Sequence, residues 1–163
     1  PQIIDCPGAV YIRMFRKKAE QVFDDSLDFE LGKAVEIKDG KDVTLIASGI
    51  MVSRAIEAAE VLAGKGISAA VVNMHTWKPV DEDAIVRAAK KTGAIVTCEN
   101  HTTNGGLGSA VAEVAVSKCP VPMELIGVVN SFGEVGKQAY LSEKFHLTVD
   151  DIVAAAERAV ARK

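Results

Sequence analysis

The sequence has few of the residues that build disulfide frameworks or aromatic binding surfaces, and no long hydrophobic run. It contains 3 cysteines, 1 tryptophan and only 5% aromatic residues. Cys6, Cys98 and Cys119 are widely spaced, so neither a disulfide framework nor a zinc site is predicted. No apolar run approaches the roughly 18 residues that span a bilayer, and no basic-then-apolar leader opens the chain. We therefore predict a cytoplasmic protein in a reducing environment.

A large excess of charge of one sign is also missing. The chain has 19 Lys and Arg residues against 22 Asp and Glu residues, which gives a formal net charge of −3. The densest basic run, residues 13–18, is followed within a few residues by a group of acids. A protein without a broad basic surface has no electrostatic attraction to phosphate backbones or anionic lipids. The composition thus predicts neither a nucleic-acid partner nor a membrane partner.

The sequence does contain a regular alternation of strand and helix patterns from residue 42 onward. With 163 residues, of which 48% are hydrophobic, there is room for one domain with a proper core. Apolar runs at residues 43–47, 69–72, 94–98 and 125–129 are typical of buried strands, and amphipathic helix patterns separate them. The predicted fold class is α/β, a three-layer, doubly wound, mostly parallel sheet of about five strands with helices on both faces.

Two helix starts carry clear capping signals. Asp81 follows the turn at Pro79 and is a good cap for the helix after it. Thr148, with Asp151 three residues later, resembles a capping box. Both residues predict where a helix begins.

The pattern before residue 42 is different. Residues 9–15 are rich in β-branched and aromatic side chains after a turn at Pro7-Gly8, which predicts a buried strand. We interpret it as the last strand of a preceding domain, and the following polar stretch up to about residue 40 as an irregular linker lying against the main body. The first residue is Pro1 rather than Met, which hints at a piece of a longer protein.

Three glycines, Gly105, Gly106 and Gly108, follow the third predicted strand and open a helix. Their amides could bind an anion at the helix N-terminus, or the glycines could simply permit a tight turn and close packing. The spacing is not G-x-G-x-x-G, and no acidic residue ends the next strand to hold a ribose. The packing interpretation is favoured, and an anion loop stays the alternative.

Glu99 and His101 lie at the end of the third predicted strand, at the edge where α/β enzymes place acids and bases. A histidine near a carboxylate can transfer protons near neutral pH. No serine or cysteine nucleophile lies beside them in a recognised motif, so a capping or interface role for His101 is preferred to catalysis. We predict no catalytic residue in this chain.

Several segments together resemble the C-terminal domain of transketolase, and the resemblance extends over the whole chain. They are A-S-G at 47–49, T-W-K-P-V-D at 76–81, V-T-C-E-N-H at 96–101, the glycine turn at 105–108, S-F-G-E-V-G at 131–136 and T-V-D-D-I at 148–152. The same domain type is found in 1-deoxyxylulose-5-phosphate synthases and in the β subunits of 2-oxo-acid dehydrogenases.

The resemblance implies a thiamine enzyme. Transketolases use thiamine diphosphate with a divalent cation, Mg²⁺ or Ca²⁺, to move a two-carbon ketol unit between sugar phosphates, as in the pentose phosphate pathway. The family's Gly-Asp-Gly motif for the metal and diphosphate does not occur in this sequence, nor does the middle-domain segment with its activating glutamate. We therefore expect the chain to supply subunit packing and a dimer interface, to bind no cofactor alone and to be inactive in isolation.

The resemblance also implies partners and boundaries. The expected partners are the N-terminal and middle transketolase domains or subunit, in a homodimer. Residues 1–24 would be the tail of a preceding thiamine-binding (pyrimidine) domain, residues 25–40 a linker, and residues 41–163 the C-terminal domain proper.

Arg16 is the one substrate-binding residue that the resemblance implies. Taken alone it would be a solvated arginine, because Lys17 and Lys18 continue the basic run. Transketolases that resemble this chain have an arginine just after the final middle-domain strand that contacts the sugar phosphate. The match falls on Arg16, with Arg13 second, and a guanidinium can hold phosphate through two parallel hydrogen bonds.

Two other functions remain open at this point. The chain could be the C-terminal domain of a 1-deoxyxylulose-5-phosphate synthase or of a dehydrogenase β subunit, although the β subunits generally lack such an arginine. It could also be a freestanding module that binds an anion or nucleotide through residues 99–108. A part of a larger enzyme should expose apolar surface where its partner domains belong.

Overall fold

A five-stranded sheet forms the centre of the fold. The computed structural model describes residues 2–163, and its strands are β1 (Val35–Lys38), β2 (Val43–Ala47), β3 (Ala69–Asn73), β4 (Ile95–Thr102) and β5 (Met123–Val128). Their order across the sheet is β1-β3-β2-β4-β5, and all neighbours are parallel except β1, which is antiparallel to β3. The predicted mostly parallel sheet is confirmed.

Helices cover both faces of this sheet. They are α1 (Met51–Gly64), α2 (Glu82–Thr92), α3 (Leu107–Lys118), α4 (Gln138–Lys144) and α5 (Val149–Ala161). Because side chains alternate along a strand, Leu45 of β2 packs with α1 and α5 on one face, and Ile46 packs with α2 and α3 on the other. The three-layer fold is confirmed, while the short helix α4 has no counterpart in the sequence prediction. Within residues 2–163, no helix combines the length and apolar character needed to cross a bilayer.

Both predicted caps are present. The Asp81 side chain accepts a hydrogen bond from the amide of Ala84 at the start of α2. At the start of α5, the Thr148 side chain accepts from the Asp151 amide, and the Asp151 carboxylate accepts from the Thr148 amide. These reciprocal bonds satisfy amides that the first turn of a helix leaves without partners.

The prediction of a buried strand at residues 9–15 is wrong for this chain. The N-terminal segment, residues 9–16, has no assigned strand and no backbone hydrogen bond within the described part of the chain. Tyr11 is 86% exposed and Met14 is 82% exposed. The apolar composition predicted burial, but burial requires a sheet neighbour that residues 2–163 do not supply.

The prediction of an irregular linker up to residue 40 is wrong at its end. Val35–Lys38 forms β1, with Val35 opposite Asn73 of β3. A strand of four residues with charged Glu36 and Lys38 has no apolar run to reveal it. Charged residues on a short edge strand are one of the ways in which proteins protect a free sheet edge.

Asp81 also ties this edge strand to the domain. One carboxylate oxygen, Oδ1, accepts from the Ala84 amide at 3.0 Å, and Oδ2 accepts from the Ala34 amide at 2.9 Å, just before β1. Burial acts to raise the pKa of Asp81, but the bonds from the Ala34 and Ala84 amides favour the charged form, and the net pKa lies below its ordinary value. The ionised carboxylate is therefore the form that stabilises the fold.

We expect Asp81→Ala to lower the free energy of unfolding by about 1–3 kcal/mol at neutral pH, because two amides lose their acceptor. The folded pKa of Asp81 lies below its ordinary value of 3.8, so its contribution is present above that pH and is lost as pH falls through the folded pKa. Chemical denaturation at a series of pH values should show the difference from wild type shrinking in acid. Asp83→Ala, in the same exposed turn of α2, is the control, and a difference from wild type that is constant with pH would contradict the prediction.

Candidate functional site

Glu99 is the buried charge at the junction between β4 and α3. Its side chain is 0% exposed, and its two oxygens accept hydrogen bonds from the amides of Leu107 and Gly108, each at 2.8 Å. The carboxylate thus lies at the N-terminus of α3, where the helix dipole favours negative charge. The protein's own carboxylate occupies two of the amides that an external anion would need.

The glycines of the turn permit this close approach. A Cβ at Gly106 would lie 2.1 Å from Oε2 of Glu99, and a Cβ at Gly108 would lie 2.6 Å from the Leu125 side chain. Gly105 has a positive φ of 75°, a conformation that favours glycine. The turn is therefore shaped to bring the start of α3 onto the Glu99 carboxylate.

His101 and Trp77 form the outer part of the junction. The Trp77 and His101 rings meet edge to face with centroids 5.6 Å apart, and His101 Nδ1 lies 4.0 Å from Oε2 of Glu99. Nδ1 also lies 3.1 Å from the carbonyl oxygen of Thr102. The His101 side chain is 37% exposed, so its ring is available at the surface where the carboxyl ends of the strands meet.

Arg13 binds this same edge of the sheet. Its Nη2 donates to the carbonyl oxygen of Asn100 at 2.9 Å, and its Nη1 donates to Oδ1 of Asn100 at 3.3 Å. The contact links the N-terminal segment to the end of β4, 87 residues later in the chain. Arg16 is the last residue of this segment; it lies at a bend and is exposed.

Burial raises the pKa of two neighbouring side chains in this region. Burial raises the pKa of Glu99, and the bonds from the Gly108 and Leu107 amides and the charges of His101 and Arg13 only partly counteract it. Burial also raises the pKa of Cys98, which lies in the core as predicted and is not a reactive thiol. A carboxylate surrounded by structural hydrogen bonds serves to fix the junction.

The sequence pattern indicates which residues form this junction but not the contacts between them. The prediction groups Glu99 and His101 and considers a capping role for His101, whereas the residue that caps α3 is Glu99. The signal was available, because an acid at the end of a strand followed by a glycine turn can reach back to the first amides of a helix. Nothing in the sequence pattern pointed to the contact between Arg13 and Asn100.

Comparison with known proteins identifies close relatives. Residues 32–152 match the family described as transketolase, C-terminal domain. The chain is 52% identical over 163 residues to a 6-deoxy-6-sulfo-D-fructose transketolase subunit of Clostridium sp. (strain MSTE9), and the match covers 100% of this chain and 51% of that protein. It is 44% identical over 127 residues to an apulose-4-phosphate transketolase subunit of Phocaeicola vulgatus, and this match covers 77% of this chain and 40% of that protein.

A solved structure has the same fold. It is a split-gene transketolase described as an inactive beta4 tetramer, with a TM-score of 0.87 and 47% sequence identity. The match covers 91% of this chain and 48% of the solved chain. The chain thus spans about half the length of the curated relatives it matches.

We expect Gly106→Ala to destabilise the junction by about 1–3 kcal/mol, because the added methyl group would overlap Oε2 of Glu99 and the Thr102 carbonyl oxygen. Trp77 is the only tryptophan, so its fluorescence during denaturation reports on this region. Gly64→Ala in α1 is the matched control, since an added Cβ there meets nothing within 4 Å and alanine favours a helix. Equal stability of the two variants would contradict the role assigned to Gly106.

Proposed function

The chain belongs to the transketolase family through its C-terminal domain, and from that membership we propose that it is the C-terminal part of a transketolase. The complete enzyme would transfer a two-carbon ketol unit between sugar phosphates. This part would supply subunit packing and a dimer interface, and residues 41–163 would form the C-terminal domain proper. Its partner would be a subunit or domain pair with the N-terminal and middle transketolase domains, in a homodimer of the complete unit.

The observation that carries this proposal is the uncovered apolar surface of the N-terminal segment. Tyr11 and Met14 are more than four-fifths exposed, and Ile12 is 55% exposed. A stretch without assigned secondary structure, with exposed apolar side chains and no backbone partners within residues 2–163, is suited to join the sheet of another domain. We infer that residues 1–24 complete a preceding thiamine-binding domain and that residues 25–40, including β1, lead from it to the C-terminal domain.

The residues that the structure describes do not provide ligands for the metal ion that accompanies thiamine diphosphate. Residues 2–163 contain no group of three His, Cys, Asp or Glu side chains that could hold a metal ion. The acidic residue best placed to bind a ligand, Glu99, is already bonded to two backbone amides. We therefore assign the cofactor and Mg²⁺ or Ca²⁺ to the other part of the complete enzyme and expect none to bind this chain alone.

Arg16 is the residue through which this chain would contact the substrate. It is exposed and lies at a bend within residues 1–24, which we assign to the neighbouring domain. Phosphate is a tetrahedral anion that a guanidinium binds through two oxygens, and a sugar sulfonate presents the same group of oxygens. Since one relative is a transketolase subunit for a sulfosugar, we propose a ketose with an anionic end, phosphate or sulfonate, as the substrate class.

The geometry does not favour a freestanding nucleotide-binding module. Two amides of the glycine turn are bonded to Glu99, and the carbonyl oxygen of Asn100 near the end of β4 is bonded to Arg13. The 1-deoxyxylulose-5-phosphate synthase and dehydrogenase alternatives share the domain and differ in the reaction. An assay of ketol transfer distinguishes the transketolase function from both of them.

We expect the purified chain to show no ketol transfer alone and to gain it when mixed with the N-terminal half of a split transketolase, thiamine diphosphate and Mg²⁺. Met14→Glu should weaken assembly of the two parts by about tenfold or more, because a charge would be buried in the interface. Val116→Glu is the matched control, because Val116 is an apolar side chain on α3 that is 73% exposed. Activity of the chain without any partner would overturn the proposal.

A second prediction concerns Arg16 in the assembled enzyme. Arg16→Gln should raise KM for an anionic sugar substrate by about 10- to 100-fold, the effect of losing one or two charge-assisted hydrogen bonds. KM for an uncharged sugar of the same length should change little. Lys17→Gln, the neighbouring cation, is the control, and an equal effect of both substitutions would mean that charge in this region acts without a specific contact.

A further inference from the structure

We propose that Arg13 and Asn100 form a positioning pair, which fixes the N-terminal segment at the carboxyl end of β4 and thereby directs Arg16 toward the anionic end of the substrate. The inference rests on the proposed function of Arg16 and adds two residues that act through it. Neither Arg13 nor Asn100 is required to touch the substrate.

The pair lies at the point where the direction in which successive strands are added to the sheet reverses. From β2 the chain passes through α1 to β3 on one side of β2, and from β4 it passes through α3 to β5 on the other. Because α1 and α3 cover opposite faces, the ends of the adjacent strands β2 and β4 leave a crevice, the usual ligand position in open α/β sheets. Here the guanidinium of Arg13 reaches the β4 side of this crevice, and a Cβ on Gly49 across it would lie 4.0 Å from Oδ1 of Asn100.

The Asn100 carbonyl is suited to receive this cation. The last paired residues of β2 and β4 are Ala47 and Cys98, and the Cys98 carbonyl oxygen accepts from the Ser48 amide on the β2 side. Asn100 lies beyond this pairing, in the part of β4 where the register with β5 shifts between Cys98 and Thr102. Its carbonyl oxygen accepts a hydrogen bond from the Arg13 guanidinium.

Asn100 follows a residue with fixed partners. Its neighbour Glu99 accepts hydrogen bonds from the amides of Leu107 and Gly108, and a side chain at Gly106 would overlap the Glu99 carboxylate. Arg13 in turn contacts Asn100 through two nitrogen atoms and two acceptors, one on the backbone and one on the side chain. A fork of two hydrogen bonds sets the direction of a side chain as well as its distance, which a lysine cannot do.

Arg16 lies three residues after Arg13, so fixing the position of Arg13 also restricts the position of Arg16. Three residues of extended chain reach about 10 Å, and the bend at residues 16 and 17 ends the segment. Within residues 2–163 the segment makes no backbone hydrogen bond, and the contact of Arg13 with Asn100 is the polar contact that connects it to the C-terminal domain. Without the contact between Arg13 and Asn100, Arg16 would be less well oriented toward the anionic end of the substrate.

A double-mutant cycle in the assembled two-part enzyme tests the pair. The variants are Arg13→Gln, Arg16→Gln and the double variant, with Arg13→Lys to keep the charge and Lys18→Gln as an exposed control. We expect Arg13→Gln and Arg13→Lys each to raise KM for an anionic sugar about 3- to 10-fold with kcat nearly unchanged. In the Arg16→Gln background, Arg13→Gln should have no further effect, because there is no longer a guanidinium to position.

The outcomes separate this inference from the function on which it rests. If Arg16→Gln leaves KM for the anionic substrate unchanged, the substrate-binding role of Arg16 is wrong and the inference ends with it. If Arg16 matters but the effects of Arg13 and Arg16 multiply, Arg13 contacts the substrate or acts independently, and the positioning pair is refuted. A rise in KM for an uncharged sugar equal to that for the anionic one would also refute it, since this would indicate a general loss of structure.

Discussion

The bond between the Glu99 carboxylate and the first amides of α3 is the constraint on which this edge of the molecule depends. A buried negative charge must be compensated, and here the compensation comes from two backbone N–H groups at the positive end of a helix. The requirement extends to the residues around it. Gly106 and Gly108 have no room for a side chain. A glycine turn that resembles a phosphate loop is thus built around an internal anion.

The parts of the fold that sequence predicts well are those in which one local signal determines the structure. Parallel strands buried on both faces appear as continuous apolar runs, so β2 and β3 are predicted at nearly their observed positions, whereas β4 continues to Thr102, four residues beyond its predicted apolar run. Asp81 and Thr148 were predicted as caps because a short polar side chain before an amphipathic helix has few other roles. Edge strand β1 is not predicted, because its four residues include the charged Glu36 and Lys38 and form no apolar run.

The errors have a common physical cause, which is that burial and hydrogen bonding are long-range properties. The composition of residues 9–15 is that of a strand, but a strand is buried only if another one lies beside it, and none does within residues 2–163. In the same way, no local pattern indicates that Arg13 will meet Asn100, because the two are separated by most of the domain. The family resemblance directed attention to Arg16, and only the three-dimensional structure brought Arg13 beside the end of β4.

The exposed N-terminal segment has a consequence for the living cell. An apolar, extended stretch with unpaired backbone groups is a template for pairing with other copies of itself. In the assembly proposed above, the other transketolase part would cover this stretch. Prompt assembly would then protect the protein from aggregation as well as complete the enzyme.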